Sequence, residues 1–152
     1  MKKIIQILGL TLFLVTFSTS YALSGEGARC LQSEDAVKLA AYGHIDARGL
    51  KALMDANTPF ILLDARGHKW KDGTMIPGAK LASYEFSSEE IEEIISDKNS
   101  LVIVYCYIFN CPLSRRLTDK LVELGYNNVL EYPGGLYEWR DIAQYPVVSI
   151  EP

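Results

Sequence analysis

Residues 101–106 read Leu-Val-Ile-Val-Tyr-Cys, five largely apolar residues followed directly by a cysteine. An unbroken run of this length, rich in β-branched residues, predicts a strand that is buried on both faces of its sheet. Such strands are typical of parallel sheets whose two faces are covered by helices. The run therefore predicts a central strand with Cys106 at its carboxyl end.

Further segments predict the neighbouring strands. Residues 60–64 read Phe-Ile-Leu-Leu-Asp, and residues 128–132 read Asn-Val-Leu-Glu-Tyr. A short strand is expected over residues 79–81, after the turn formed by Ile-Pro-Gly at 76–78. Each is a short run bounded by turn residues, as strands in a compact sheet are.

Helical signals alternate with these strands. Capping residues, acidic first turns and leucines at helical spacing predict helices over residues 36–40, 47–57, 88–96 and 113–124, with a short one near Trp139. Asp46 and Ser87 are the expected N-caps of the second and third, and Gly125 ends the fourth. The alternation indicates a three-layer α/β/α fold with a central, mostly parallel five-stranded sheet.

The first 22 residues have the pattern of a secretory signal peptide. Lys2 and Lys3 precede an apolar run over residues 4–17, and small residues lead to Ala22. The alternative is an uncleaved anchor, but the run is short of the ~20 residues that span a bilayer. We therefore expect a periplasmic or secreted protein with a signal peptide at 1–22. An N-terminal extension at 23–43 and one domain at 44–152 would follow.

The charge of the chain restricts its partners. The formal net charge is −4, and removal of the two leader lysines takes it to −6. An acidic surface repels nucleic acid and anionic lipid. We therefore expect no nucleic-acid partner, and no membrane contact after signal cleavage.

Three cysteines, at positions 30, 106 and 111, would enter an oxidising compartment. An odd number leaves a free thiol, an intermolecular bridge or a bound small thiol. The cysteines and two histidines lack paired short ligand spacings, so no metal is expected.

The position of Cys106 suits chemistry on sulfur. In open α/β sheets, sites form at the carboxyl ends of the strands. Backbone amides in the loop and the following helical turn stabilise a thiolate, which is the reactive form of cysteine. The alternative is that Cys106 is a small buried apolar residue, as free cysteines often are.

Five segments then occur in the order and approximate spacing of one family. They are Leu-Leu-Asp-Ala-Arg at 62–66, Ile-Pro-Gly-Ala at 76–79, Val-Ile-Val-Tyr-Cys at 102–106, Leu-Gly-Tyr at 124–126 with Asn-Val at 128–129, and Pro-Gly-Gly at 133–135 with Trp139. Through them the chain from about His44 to Val147 resembles a single rhodanese-like domain.

The resemblance implies a sulfurtransferase whose cysteine becomes a persulfide and passes sulfane sulfur to a thiophilic acceptor. Cys106 matches the family's nucleophile. Asp64 and Arg66 match an Asp-x-Arg pair that braces the fold, more as a buried ion pair than as catalytic groups. The implied partners are a small sulfur-containing substrate or a protein thiol or persulfide, with no metal or organic cofactor.

The loop after Cys106 departs from the common family pattern. It contains Tyr107, Phe109 and Asn110, and it reaches Cys111 where an arginine is often found. This is similar to a less common variant with the motif C-x4-C-P-x-S. Its apolar residues, Ile108 included, would suit polysulfide or a protein persulfide better than thiosulfate.

Two residues after the loop have open roles. Ser114 is placed either to donate to the sulfur or to cap the following helix. Arg115, or its neighbour Arg116, would either supply positive charge to the pocket or face solvent.

Cys111 has three possible roles. It is a resolving thiol that forms a disulfide with Cys106, an acceptor of sulfur from Cys106, or a passive loop residue. A disulfide requires the two Cα atoms to lie about 4.4–6.8 Å apart. Two other functions stay open: thiol–disulfide exchange by the two cysteines, and a non-catalytic binding module that keeps the fold.

Overall fold

The computed structural model describes residues 42–67 and 73–149. The predicted signal peptide, the helix predicted over residues 36–40 and Cys30 lie outside the described residues. Those predictions therefore stay as they were made from the sequence.

The described residues form strands and helices in alternation. The strands are β1 Gly43–His44, β2 Ile61–Asp64, β3 Thr74–Met75, β4 Lys80–Leu81, β5 Leu101–Tyr105, β6 Asn128–Tyr132 and β7 Val148–Ser149. The helices are α1 Ala47–Asp55, α2 Ser88–Ile94, α3 Pro112–Glu123 and α4 Gly135–Tyr137, the last of which continues as a π-helical turn over Glu138–Ile142.

Five strands form the main sheet in the order β1-β6-β5-β2-β4, and every pairing is parallel. Strand β5 is central, with Tyr105 in register with Asp64 on one side and with Tyr132 on the other. The predicted central strand is therefore confirmed, and its carboxyl end lies between the ends of two neighbouring strands.

Helices cover both faces of this sheet, as the alternation predicted. Helices α2 and α3 bury Ile91, Leu117 and Leu121 against one face. On the other face, α1 buries Leu50, and the C-terminal helical segment buries Trp139. The three-layer α/β/α architecture is confirmed.

Local signals account for where the helices begin. Asp46 caps α1, accepting a hydrogen bond from Gly49 N, and Ser87 forms a reciprocal capping box with Glu90. Helix α3 begins with Pro112 at its first position, which needs no donor there. Its N-cap is Cys111, so the alternative in which Ser114 caps this helix is wrong.

Two short pairings were not predicted. Strand β1 is two exposed residues, and it begins one residue before the predicted start of the domain. Strands β3 and β7 form a separate two-stranded antiparallel sheet. Within residues 42–67 and 73–149, no helix is long and apolar enough to cross a membrane.

Candidate active site

Cys106 lies directly after the central strand and is almost completely buried, with 2% of its surface exposed. The loop that follows it returns to the start of α3 at Cys111. Asn110, at the turn of this loop, has a positive φ of 54°, a conformation that asparagine tolerates better than most residues. The loop is thus a tight return from a buried strand to a helix N-terminus.

The structure pairs Cys106 with Cys111 in a disulfide, with the two Cα atoms 6.1 Å apart. This separation lies within the range of about 4.4–6.8 Å that a disulfide requires. Cys111 is partly exposed, whereas Cys106 is buried. In the disulfide, Cys111 is therefore the more exposed of the two residues.

The start of α4, together with Pro133 before it, forms the floor under this loop. Leu136 N donates to Cys106 O at 2.9 Å, Tyr137 N donates to Tyr107 O at 2.8 Å, and Asn110 N donates to Pro133 O at 3.2 Å. Gly135 has a φ of 64°, and a Cβ on it would lie 2.7 Å from Cys106 O. A glycine is required here both for its conformation and for the close approach of the two backbones.

The apolar loop residues lie on the outer surface. Ile108 and Phe109 are 51% and 48% exposed, and the Phe109 ring meets the Tyr137 ring edge-on at 6.3 Å. They form an exposed apolar rim, which we define as Ile108, Phe109 and Tyr137. Ile108 and Phe109 were expected to make the inside of the loop more apolar, but half of each residue is exposed on the surface.

A cavity of about 360 Å³ opens beside Cys111. Its lining is polar and aromatic, formed by Tyr42, His44, Asn110, Cys111, Arg115, Glu131 and Pro133. Burial raises the pKa of Tyr42, and the nearby carboxylates of Glu131 and Asp119 raise it further. Its hydroxyl therefore stays protonated at neutral pH and can donate a hydrogen bond.

Glu131 is a buried carboxylate at the inner wall of this cavity, with 5% of its surface exposed. Ser114 Oγ lies 2.9 Å from Glu131 Oε1 and 2.9 Å from Cys111 O, so its single proton is donated to one of these acceptors at a time. His44 Nε2 lies 3.4 Å from Glu131 Oε2. The hydroxyl of Ser114 is thus a hydrogen-bond donor to the Glu131 carboxylate or to the backbone carbonyl of Cys111.

Arg115 and Arg116 have different surroundings. Arg115 lines the cavity beside Cys111. Arg116 does not line this cavity. Its guanidinium carbon lies 5.2 Å from the centre of the Tyr84 ring. Of the two, Arg115 is the one that brings positive charge to the cavity.

Asp64 and Arg66 form a buried ion pair at the end of β2. The Arg66 Nη2–Asp64 Oδ2 distance is 2.6 Å, and the two side chains are 2% and 0% exposed. Tyr105 Oη donates to Asp64 Oδ2 at 2.9 Å, and Arg66 Nη2 donates to Thr74 O at 2.6 Å. Burial raises the pKa of Tyr105, so its hydroxyl remains a donor. The buried ion pair that was predicted for Asp64 and Arg66 is confirmed.

Tyr107 connects the ion pair to the loop. Its ring lies 6.0 Å from the guanidinium carbon of Arg66 and 5.9 Å from that of Arg140. Its hydroxyl accepts from Arg140 Nη2 at 3.3 Å. Two cations therefore hold Tyr107 in place, and its contacts indicate a supporting role.

The structure thus brings Cys106, Cys111, Asn110, Ser114 and Arg115 to one end of the sheet. In the part of the chain that the structure describes, no group of three or more His, Cys, Asp or Glu side chains is placed to hold a metal ion.

Sequence reasoning missed three residues that line the cavity, Tyr42, His44 and Glu131. A lone carboxylate in the apolar strand β6 was the available signal for Glu131.

Comparisons with known proteins agree with this fold. The family model of the rhodanese-like domain matches residues 46–142. A rhodanese-like domain from Anabaena is 26% identical, with a TM-score of 0.55 over 70% of this chain and 79% of that one. A protein from Bacillus halodurans is 22% identical, with a TM-score of 0.63 over 76% of this chain and 82% of that one.

A thiosulfate sulfurtransferase from Pseudomonas aeruginosa also has this fold. It is 22% identical, with a TM-score of 0.57 over 76% of this chain but only 23% of that chain.

Among curated proteins, none matches the sequence significantly. The family match covers well over half of the chain, and its residues include both cysteines of the loop. The chain therefore belongs to the rhodanese-like family.

Proposed function

We propose that the protein is an exported sulfurtransferase that forms a persulfide on Cys106 and passes the sulfane sulfur to a thiophilic acceptor. The observation that carries the proposal is the position of Cys106, which ends the central parallel strand of a rhodanese-like domain. The N-terminal sequence supports export, and N-terminal sequencing of the mature protein would then begin at Leu23.

The reaction begins with Cys106 reduced. Its thiolate attacks the outer sulfur of the donor, so that a bond forms between Cys106 Sγ and that sulfur while the remainder of the donor leaves with the electron pair. The nucleophile of the acceptor then attacks the outer sulfur of the persulfide, and Cys106 leaves as a thiolate. Sulfane sulfur is transferred, and Cys106 is regenerated.

The surroundings of the loop favour donors of low charge density. The exposed apolar rim carries no positive charge that could stabilise a multiply charged anion. Among the described residues that line the cavity, Arg115 is the only permanent cation, and the carboxylate of Glu131 opposes it. We therefore propose polysulfide or a protein persulfide as a better donor than thiosulfate.

The test is sulfur transfer by the reduced protein to cyanide, followed as thiocyanate with polysulfide or thiosulfate as donor. We expect Cys106→Ser to lower the rate by about a thousandfold or more, because a serine hydroxyl is a far weaker nucleophile than a thiolate. Cys111→Ser is the matched control, since it removes the other thiol of the loop and should retain transfer. Equal rates for Cys106→Ser and Cys111→Ser would contradict the proposal.

The disulfide favours a second function, which is thiol–disulfide exchange by Cys106 and Cys111. The same experiment separates the two. A protein that produces no thiocyanate from either donor, but whose disulfide is readily reduced and reformed by dithiols, would be a redox protein. Thiocyanate formation that depends on Cys106 would support the sulfurtransferase.

A further inference from the structure

The disulfide shows which two atoms of the loop can meet. Cys111 Sγ is bonded to Cys106 Sγ, and Cys106 Sγ is also the atom that would carry the sulfane sulfur in the proposed function. In a persulfide, this inner sulfur is one of two atoms that a thiolate can attack. An attack on the outer sulfur moves the sulfane sulfur to the attacking thiol, whereas an attack on the inner sulfur expels it as hydrosulfide.

We propose that Cys111 resolves the Cys106 persulfide internally, so that the protein releases its sulfane sulfur as hydrosulfide and ends as the Cys106–Cys111 disulfide. This inference rests on the proposed function, since it requires the persulfide to form. It names the fate of the sulfur that the persulfide carries.

The step balances in atoms and electrons. The Cys111 thiolate forms a bond to Cys106 Sγ, and the bond between Cys106 Sγ and the outer sulfur breaks. The outer sulfur leaves with the electron pair as hydrosulfide and is reduced, and Cys111 Sγ is oxidised. The inner sulfur exchanges one S–S bond for another. The proton of the Cys111 thiol is released to water. Hydrosulfide is a better leaving group than an alkyl thiolate, which favours this direction.

The loop holds Cys111 ready for this attack. Cys111 N donates to Ile108 O at 3.3 Å, and the neighbouring Asn110 N donates to Pro133 O. Ser114 Oγ lies 2.9 Å from Cys111 O. Cys111 is also the N-cap of α3, where free backbone donors stabilise a thiolate. These contacts position Cys111 beside Cys106 in the disulfide, and the same loop conformation would bring the reduced Cys111 within reach of Cys106 Sγ.

Recovery of the thiols requires a dithiol reductant. The cavity exposes Cys111 beside Arg115 and His44, whereas Cys106 is buried and is not among the residues lining it. An external thiolate therefore reaches Cys111 Sγ, and Cys106 leaves as a thiolate. The second thiol of the reductant then displaces Cys111, which leaves both cysteines reduced and the reductant as a disulfide.

A single turnover without free thiol tests the inference. The reduced protein is freed of reductant and given thiosulfate or benzenethiosulfonate, whose leaving groups are sulfite and a sulfinate, so neither donor supplies sulfide itself. Every protein carries Cys30→Ser, so that the third thiol cannot act as a resolving group. Hydrosulfide is quantified, and the chain is analysed by intact mass.

We expect the protein with both loop cysteines to release about one hydrosulfide per chain and to finish as the disulfide, two hydrogens lighter than the reduced chain. Cys111→Ser is expected to release at least about tenfold less and to hold the persulfide. Adding dithiothreitol should restore repeated hydrosulfide release from the first protein.

The experiment distinguishes failure of this inference from failure of the proposed function. If the protein with both cysteines holds a stable persulfide on Cys106 without releasing hydrosulfide, the inference is overturned and the proposed function stands. Sulfane sulfur found on Cys111 would also overturn it, because the attack would then be on the outer sulfur. If Cys111→Ser forms no persulfide with either donor or with polysulfide, the proposed function itself has failed.

Discussion

Asp64→Ala is expected to lower the free energy of unfolding by about 3–5 kcal/mol, because it removes a buried carboxylate that pairs with the buried guanidinium of Arg66. Arg66 and Asp64 are 4% and 0% exposed, so water cannot replace the lost carboxylate. The hydroxyl of Tyr105 also loses its acceptor. For a domain of this size, the loss corresponds to a fall of roughly 12–20 °C in Tm.

The measurement is urea unfolding and thermal unfolding of the reduced protein. Asp64→Asn keeps the shape of the side chain but not its charge, and we expect it to retain only a small part of the stability. Asp55→Ala is the matched control, since Asp55 pairs with Lys51 on the exposed face of α1 and its loss should change stability by less than about 0.5 kcal/mol. Similar effects for Asp64→Ala and Asp55→Ala would show that the buried pair does not brace the fold.

Gly135→Ala is expected to destabilise the domain by about 2–4 kcal/mol and to displace the loop that carries Cys106. Its Cβ would lie 2.7 Å from Cys106 O and 2.9 Å from Tyr107 O, and both are backbone atoms held by hydrogen bonds. The positive φ of 64° adds a conformational cost to the steric one. Sulfur transfer should fall as well, because Cys106 moves with its carbonyl.

Gly125→Ala separates the conformational cost of a positive φ from the steric cost of the added Cβ. Gly125 has a φ of 85°, but a Cβ on it would meet nothing within 4 Å, so only the conformational cost of about 1–2 kcal/mol is expected there. Sulfur transfer by the folded Gly125→Ala protein should be unchanged. If Gly135→Ala were no more harmful than Gly125→Ala in either measurement, the start of α4 would not be the floor of the loop.

Much of the fold can be predicted because its central elements have strong local patterns. Residues 101–105 are apolar throughout, and this corresponds to a strand that is hydrogen-bonded on both sides and covered on both faces. The capping box at Ser87 and Glu90 fixed the start of α2. Strands β3 and β7 lacked such a pattern, because each is two residues long and its partner is distant in the chain.

The candidate site was less predictable. The position of Cys106 after a buried strand made it a candidate, because a parallel sheet brings the carboxyl ends of its strands to one edge. Position alone left open a small buried apolar residue, and the ordered family segments were needed to favour Cys106 as the nucleophile. The role of Ser114 depended on where Glu131 lies, and this follows from the parallel register of β6 on β5 rather than from any local pattern. Closure of the disulfide likewise depended on the turn at Asn110, which only the folded loop defines.

The intact mass of the reduced Cys111→Ser protein after exposure to polysulfide tests the central claim most directly, because the persulfide should not be resolved in this variant. We predict a gain of one sulfur atom, about 32 Da, that cyanide removes. Cys106→Ser, treated in the same way, should show no such gain. A cyanide-labile sulfur that persists in Cys106→Ser, or that forms in neither variant, would contradict the assignment of Cys106 as the residue that carries sulfur.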